Sequence, residues 1–225
     1  EAEVEYKDKT SPAIDVAFAA VDRADVLKRF NADANLAGEI AVAIWTTTPW
    51  TLPANLAVAL NAELDYVLIR FTQENKQDEL NGKQWLLVIA EALEGAVMKR
   101  YGVAHYEIVA RAKGNTLERV ALQHPFYERQ VPIILGEHVT TDAGTGAVHT
   151  APGHGQDDFI VGKKYGLDVL NPVGGNGVYL PDTPLFAGLH VLKANDDIVK
   201  LLEQNGALLH YAPLRKAGAA ARDIL

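Results

Sequence analysis

The chain has no cysteine, one methionine and a single serine, Ser11, among 225 residues. Without cysteine there is no disulfide, no thiolate-ligated zinc and no cysteine nucleophile, and nothing points to an oxidising compartment. Without a second serine there is no G-x-S-x-G elbow. A hydrolase built on this chain must activate water directly, or use a threonine, a metal or a group of its substrate. No apolar run is long enough to span a bilayer, and the first residues lack the basic start and apolar centre of a signal peptide. A soluble cytoplasmic protein is expected, with no membrane partner. Basic residues are outnumbered 21 to 29, and none of their runs exceeds two, as at Lys163–Lys164. Nucleic-acid affinity grows with the phosphates a protein neutralises, so the chain alone is expected to bind RNA weakly.

What is present reads as one large domain or two small ones with a self-sufficient core. Alternating apolar residues predict strands over 2–6 and through Ile14, Val16 and Phe18, with a turn between them at Asp8 to Pro12. Further strands are predicted over 39–47, 55–60, 66–72, 85–90, 106–112, 131–135, 139–141, 168–173, 178–180 and 208–214. Residues 74–84 read as a polar hairpin tip, and G-G-N-G at 174–177 as a hairpin turn. Helices are predicted over 26–30, 91–101 and 156–165. A capping box of Asn115 and Glu118 should open another, running to Gln123. One more should be capped by Asn195 and closed by Gly206. Strands outnumber helices and do not alternate with them. The fold class is therefore mainly β with peripheral helices (α+β), around a β-barrel-like core. The domain is expected to cover residues 1–214, with an Ala-rich tail over 215–225. If 3–6 pairs with 208–214, the two ends emerge side by side, as in a domain inserted into a host.

Two stretches carry chemistry. W-T-T-T-P-W-T-L-P-A-N at 45–55 sets the hydroxyls of Thr46, Thr47, Thr48 and Thr51 between two tryptophans, and Pro49 and Pro53 interrupt regular pairing there. Threonine is also a good strand residue, but an irregular loop frees hydroxyls to face a cavity. Asn55 could hold the loop backbone or serve the site. Trp45 and Trp50 suit core or pocket wall. G-T-G-A-V-H-T-A-P-G-H-G-Q-D-D at 144–158 brings His149, a glycine-rich turn and two carboxylates to a helix start. Asp157 there favours the helix dipole, while Asp158, one position on, points elsewhere and could hold a substrate ammonium. His149, His154, Asp157 and Asp158 are metal-ligand types. Their H-x4-H spacing across a Gly/Pro turn is not that of the zinc hydrolases, so neither a metal nor a cofactor is expected. The glycines lack the G-K-[ST] of a phosphate loop and mark turns. A metal-free hydrolase, a binding-only module and a metallohydrolase all remain readings of these residues.

Both motifs resemble those of the editing domain of isoleucyl-tRNA synthetases, the insertion called connective peptide 1, of bacterial type. The valyl and leucyl relatives carry T-T-R-P where this chain has Thr46-Thr47-Thr48-Pro49. The resemblance runs from about residue 1 to about 214. The H-I-G-H and K-M-S-K-S signatures of amino-acid activation are absent, so activation is not expected. The resemblance implies a barrel-like domain that deacylates valyl-tRNA(Ile), with the 3′ end of tRNA(Ile) charged with valine and the remainder of the synthetase as partners; nothing in the sequence argues for an oligomer, so a monomer is expected. The alternative is a module that binds the aminoacylated 3′ end without hydrolysing it. The resemblance implies a catalytic set of Asp158, Thr47, Thr48, Thr51 and His149, with Asp158 on the α-ammonium and His149 blocking isoleucine. Thr46, Trp50, Asn55 and Asp157 would complete substrate binding.

Overall fold

The computed structural model describes residues 9–75 and 78–216. Ten strands form one mixed sheet: β1 (Lys9–Ala20), β2 (Glu39–Thr46), β3 (Ala57–Leu60), β4 (Asp65–Asn75), β5 (Asp78–Ala90), β6 (Glu107–Lys113), β7 (Ala121–Gln123), β8 (Gln130–Leu135), β9 (Val148–Thr150) and β10 (Leu208–Lys216). The helices are α1 (Arg23–Arg29), α2 (Glu94–Arg100), α3 (Gln156–Lys164) and α4 (Val191–Gln204). The strand order is β6-β4-β5-β2-β1-β7-β8-β3-β9, with β10 beside β1. The class is α+β, as expected, but the barrel is not closed. Closure needs the last strand to pair with the first, and among the described residues the path ends at β6 and β9 without such a pairing. The sheet forks instead. One edge of β1 takes β2, and the other takes β10 along Lys9–Val16 and β7 at Ala19–Ala20.

The interior strand β2 reads I-A-V-A-I and is buried on both faces over that run, as central strands are. With β1, β4 and β5 it builds the main core, whose largest fully buried side chains include Trp85, Tyr66, Phe18 and Ile44. A smaller cluster of Ala57, Ala59, Ile134, Val139 and Val161 lies under β3. The amphipathic α4 buries Val191, Ala194, Ile198 and Leu202, and Gly206 follows its end at φ +64°, a backbone region that favours glycine.

Several local expectations are corrected. The turn predicted at Asp8 to Pro12 is, from Lys9 on, strand β1. The expected hairpin at 74–84 is present, but its strands run farther than predicted, with Asn75 of β4 opposite Asp78 of β5. The helix over 91–101 begins as a 3-10 turn at Glu91–Leu93 before α2. Asn115 and Glu118 form no capping box. Asn115 N–H goes to Ala62 O, the Glu118 carboxylate accepts from Tyr165 Oη, and Ala121–Gln123 is β7. Val139 follows the turn at Glu137–His138, with its N–H on Gly136 O and its carbonyl taken by Asn61 Nδ2 at 2.9 Å, and no strand forms there. Residues 168–172 form no strand, and the G-G-N-G segment is flanked only by single bridges, Val173 with Tyr179 and Val178 with His190. The predicted strand over 2–6, and its pairing, lie outside the described residues. The partner of β10 is Lys9–Val16, which sets Lys9 opposite Lys216.

Candidate functional site

The threonine motif leaves β2 and turns into a 3-10 helix, Pro49–Ala54. Two prolines in six residues exclude a ladder here: each lacks an N–H and fixes φ. The turn sorts the hydroxyls. Thr46 is buried, and its Oγ1 accepts from Thr48 N at 3.1 Å and meets Thr48 Oγ1 at 3.2 Å. Thr51 is buried as well. Thr47 is half-buried, and Thr48 is exposed.

Strand β9 delivers His149, which lies opposite Val58 of β3. Thr51 Oγ1 spends its one proton on Thr48 O at 2.8 Å, so at its 2.8 Å contact with His149 Nε2 it accepts. The imidazole therefore carries its proton on Nε2, and Nδ1 accepts from Asn55 Nδ2 at 3.3 Å. Burial pulls the His149 pKa down to about 4. The ring is neutral at pH 7, with both nitrogens committed. The Asn55 amide also donates to Ala57 O at 2.8 Å, and the Asn55 backbone carbonyl accepts from Arg129 Nη1 at 2.7 Å. The two sequence motifs thus meet at one histidine.

The segment before β9 is tied down carbonyl by carbonyl. Gly144 O accepts from Arg100 Nη2 at 3.2 Å, Thr145 O from Ala90 N at 2.9 Å, and Gly146 O from Tyr66 Oη at 2.7 Å. Arg100 is itself held by the buried Asp15 in two bonds of 2.6 and 3.1 Å. Burial raises the Asp15 pKa, and the Arg100 guanidinium opposes that rise. Gly146 sits at φ +77°, and a Cβ there would stand 2.2 Å from Ala90 Cβ.

Beyond β9, Asp158 lies in the first turn of α3, and its Oδ2 accepts from Ala151 N at 3.0 Å. Burial pushes its pKa up, with the Ala151 hydrogen bond and His138 working against that and Asp157 adding to it. Among the described residues its other oxygen receives no hydrogen bond. Asp157 is exposed in the same turn, where a carboxylate meets the positive end of the helix dipole.

Several residues around the site were not singled out from sequence as part of it. Asn195, read there as a helix cap, lies inside α4. The cap is His190, and Asn195 Oδ1 accepts from Trp50 N at 3.1 Å. Tyr179 Oη donates to Trp50 O. The His154 ring stands edge-on to Trp50, with centroids 5.3 Å apart. His124, its pKa lowered by burial to about 3, ties Leu52 O through Nε2 at 3.0 Å. Only His154 falls within a sequence motif, where it was weighed as a metal-ligand type and not as a neighbour of Trp50. An asparagine inside an otherwise regular amphipathic helix was the one available signal, since asparagine is a poor helix-interior residue.

Residues 93–180 match the family model of the leucyl-tRNA synthetase editing domain. The chain is 56% identical over 211 residues to an isoleucine–tRNA ligase of Shewanella sediminis, covering 94% of this chain and 22% of that protein. It is 57% identical over 217 residues to the ligase of Alkalilimnicola ehrlichii, covering 96% of this chain and again 22% of that protein. In fold it resembles the editing domain of the P. knowlesi cytosolic leucyl-tRNA synthetase, with a TM-score of 0.68, 10% identity, and coverage of 92% of this chain and 98% of that one. The P. falciparum counterpart gives a TM-score of 0.65 at 10% identity, covering 89% and 99%. The chain spans about a fifth of the length of the curated relatives it matches (22%).

Proposed function

Because the chain belongs with the editing (connective peptide 1) domains of isoleucyl-tRNA synthetases, we propose that it hydrolyses the ester of valyl-tRNA(Ile) and spares isoleucyl-tRNA(Ile). One methylene is worth only about 1–3 kcal/mol in an apolar pocket, a limit for which isoleucine-against-valine selection is the standard illustration. A second, smaller pocket that admits only valine corrects the residual error.

The observation that carries this reading is the lock at His149. Its ring is held between Thr51 and Asn55, neutral and fixed in one tautomer. A group so held is a wall and cannot serve as a general base, which suits the exclusion of a larger side chain. The free oxygen of Asp158 takes the substrate α-ammonium, a charge-assisted bond, and Asp157 adds negative charge beside it. Thr47 and Thr48, the less buried of the four threonines, offer hydroxyls to the terminal adenosine or the attacking water. Thr46 and Thr51 hold the turn that presents them, and Trp50 forms a side wall. The water oxygen attacks the ester carbonyl carbon, the carbon–oxygen bond to the ribose breaks, and the ribose oxygen leaves with a proton. With both His149 nitrogens occupied, the neighbouring ribose hydroxyl assists the water, while the protein supplies position and charge. The remainder of the synthetase delivers the 3′ end, and the pairing of Lys9 with Lys216 suits an insertion into such a host.

Release of valine from valyl-tRNA(Ile) by this chain, with isoleucyl-tRNA(Ile) as control, tests the proposal. Valine release with isoleucine retained supports it. Equal release from both removes the size sieve. Binding of the aminoacylated end without release would reduce the chain to a binding module.

A further inference from the structure

The 3-10 helix Pro49–Ala54 begins poorly provided. Its cap residue, Thr48, makes no side-chain capping bond, and Pro49 has no N–H to offer. Trp50 N–H is therefore the first donor that the helix itself cannot satisfy. That donor is satisfied from 145 residues away, by Asn195 Oδ1 at 3.1 Å. The Trp50 carbonyl is also taken from outside, by Tyr179 Oη. Asn195 stands inside α4, where asparagine is intrinsically unfavourable, yet it is only 8% exposed. A buried asparagine there makes sense as a cap supplied to a different helix.

We propose that Asn195 is a positioning residue for selectivity. From α4 it caps the 3-10 helix that carries Trp50 and Thr51, and with Tyr179 it fixes the Trp50 backbone, one residue from the Thr51 that holds His149. This rests on the reading of Trp50 as a wall of a valine-selective site. Asn195 touches no substrate. It acts by keeping the wall from yielding to one additional methylene.

Two measurements on the full chain test this. The first is hydrogen exchange at the Trp50 amide, followed by NMR. Exchange is expected to be slow in the wild type, at least about tenfold faster in Asn195→Leu, which fills the space without an acceptor, and near wild type in Asn195→Asp, which keeps one. The second is the ratio of affinities for non-hydrolysable valyl- and isoleucyl-adenosine analogues, read beside thermal melts. Asn195→Leu is expected to lower the preference for valine by roughly tenfold, and Asn195→Asp to restore it. Tyr179→Phe, which keeps the buried ring, should move the ratio the same way and stands independently should Asn195→Leu fail to fold. Unchanged exchange and an unchanged ratio in folded variants overturn the inference and leave the proposed function intact. A wild-type chain that binds neither analogue overturns the site reading and this inference with it.

Discussion

Asp158 is costly to the fold, and that cost separates a functional carboxylate from a structural one. Burial raises its pKa above 3.8, so the folded state holds the proton more tightly than the unfolded chain. Just above the ordinary carboxylate range, stability therefore falls as pH rises, and at pH 7 the ionised group opposes folding. Asp158→Asn keeps an oxygen for Ala151 N–H and removes the charge. It is expected to leave the melting temperature at pH 7 unchanged or higher, while valine release drops about 10- to 100-fold, the worth of one charge-assisted hydrogen bond. A parallel loss of stability and activity would make Asp158 a structural residue. The threonines divide differently. Thr51→Val deprives His149 Nε2–H of its acceptor and should cost about 1–3 kcal/mol of stability, read from urea midpoints. Thr47→Val, with no hydrogen bond to lose among the described residues, should stay within about 0.5 kcal/mol while slowing deacylation. The sequence made these residue types and their proximity plain. It could not sort the hydroxyls into buried and outward ones, because that depends on the 3-10 turn. Nor could it give the tautomer of His149, which is set by a partner 98 positions away.

At the scale of the element, apolar runs bounded by polar residues, such as β2 and β3, were legible because burial on both faces leaves a continuous signature. Three of the misread stretches share one cause: a side chain there or against them is engaged at long range. Glu118 serves Tyr165, Asn61 serves Val139, and Asn195 serves Trp50. Gly144 and Gly153 of the second motif lie in turns, as read, whereas Gly155 is the extended residue before α3, and the reason for Gly146 is visible only in three dimensions. At φ +77° with Ala90 in the way, Gly146→Ala must strain the backbone and push β5 and the 144–147 segment apart. The expected cost is about 1–3 kcal/mol. Because β9 follows immediately, deacylation should fall further than stability alone explains. Full activity in a folded Gly146→Ala variant would show that β9 does not depend on this anchoring.

At the scale of the whole molecule, closure of the sheet was not legible, because it depends on whether the terminal strands of a nine-strand path find each other, a long-range matter that no local pattern encodes. One property of the whole does follow from its buried histidines. His124 and His149 both carry depressed pKa values, about 3 and about 4, through burial. The unfolded chain takes up protons on these rings as pH falls through 6.5, and the folded protein does not. Stability is therefore full above pH 6.5 and declines as pH falls from there toward 4. Asp15 and Asp158, with raised pKa values, act in the opposite sense, but only in the window above 3.8 where the unfolded carboxylates have already lost their protons. Urea midpoints measured from pH 7 to pH 5 should fall steadily. His124→Gln should start from a lower midpoint at pH 7, having lost the tie to Leu52 O, and then fall less steeply. An unchanged slope would mean that His124 takes up protons in the folded protein as readily as in the unfolded chain, so that burial does not lower its pKa.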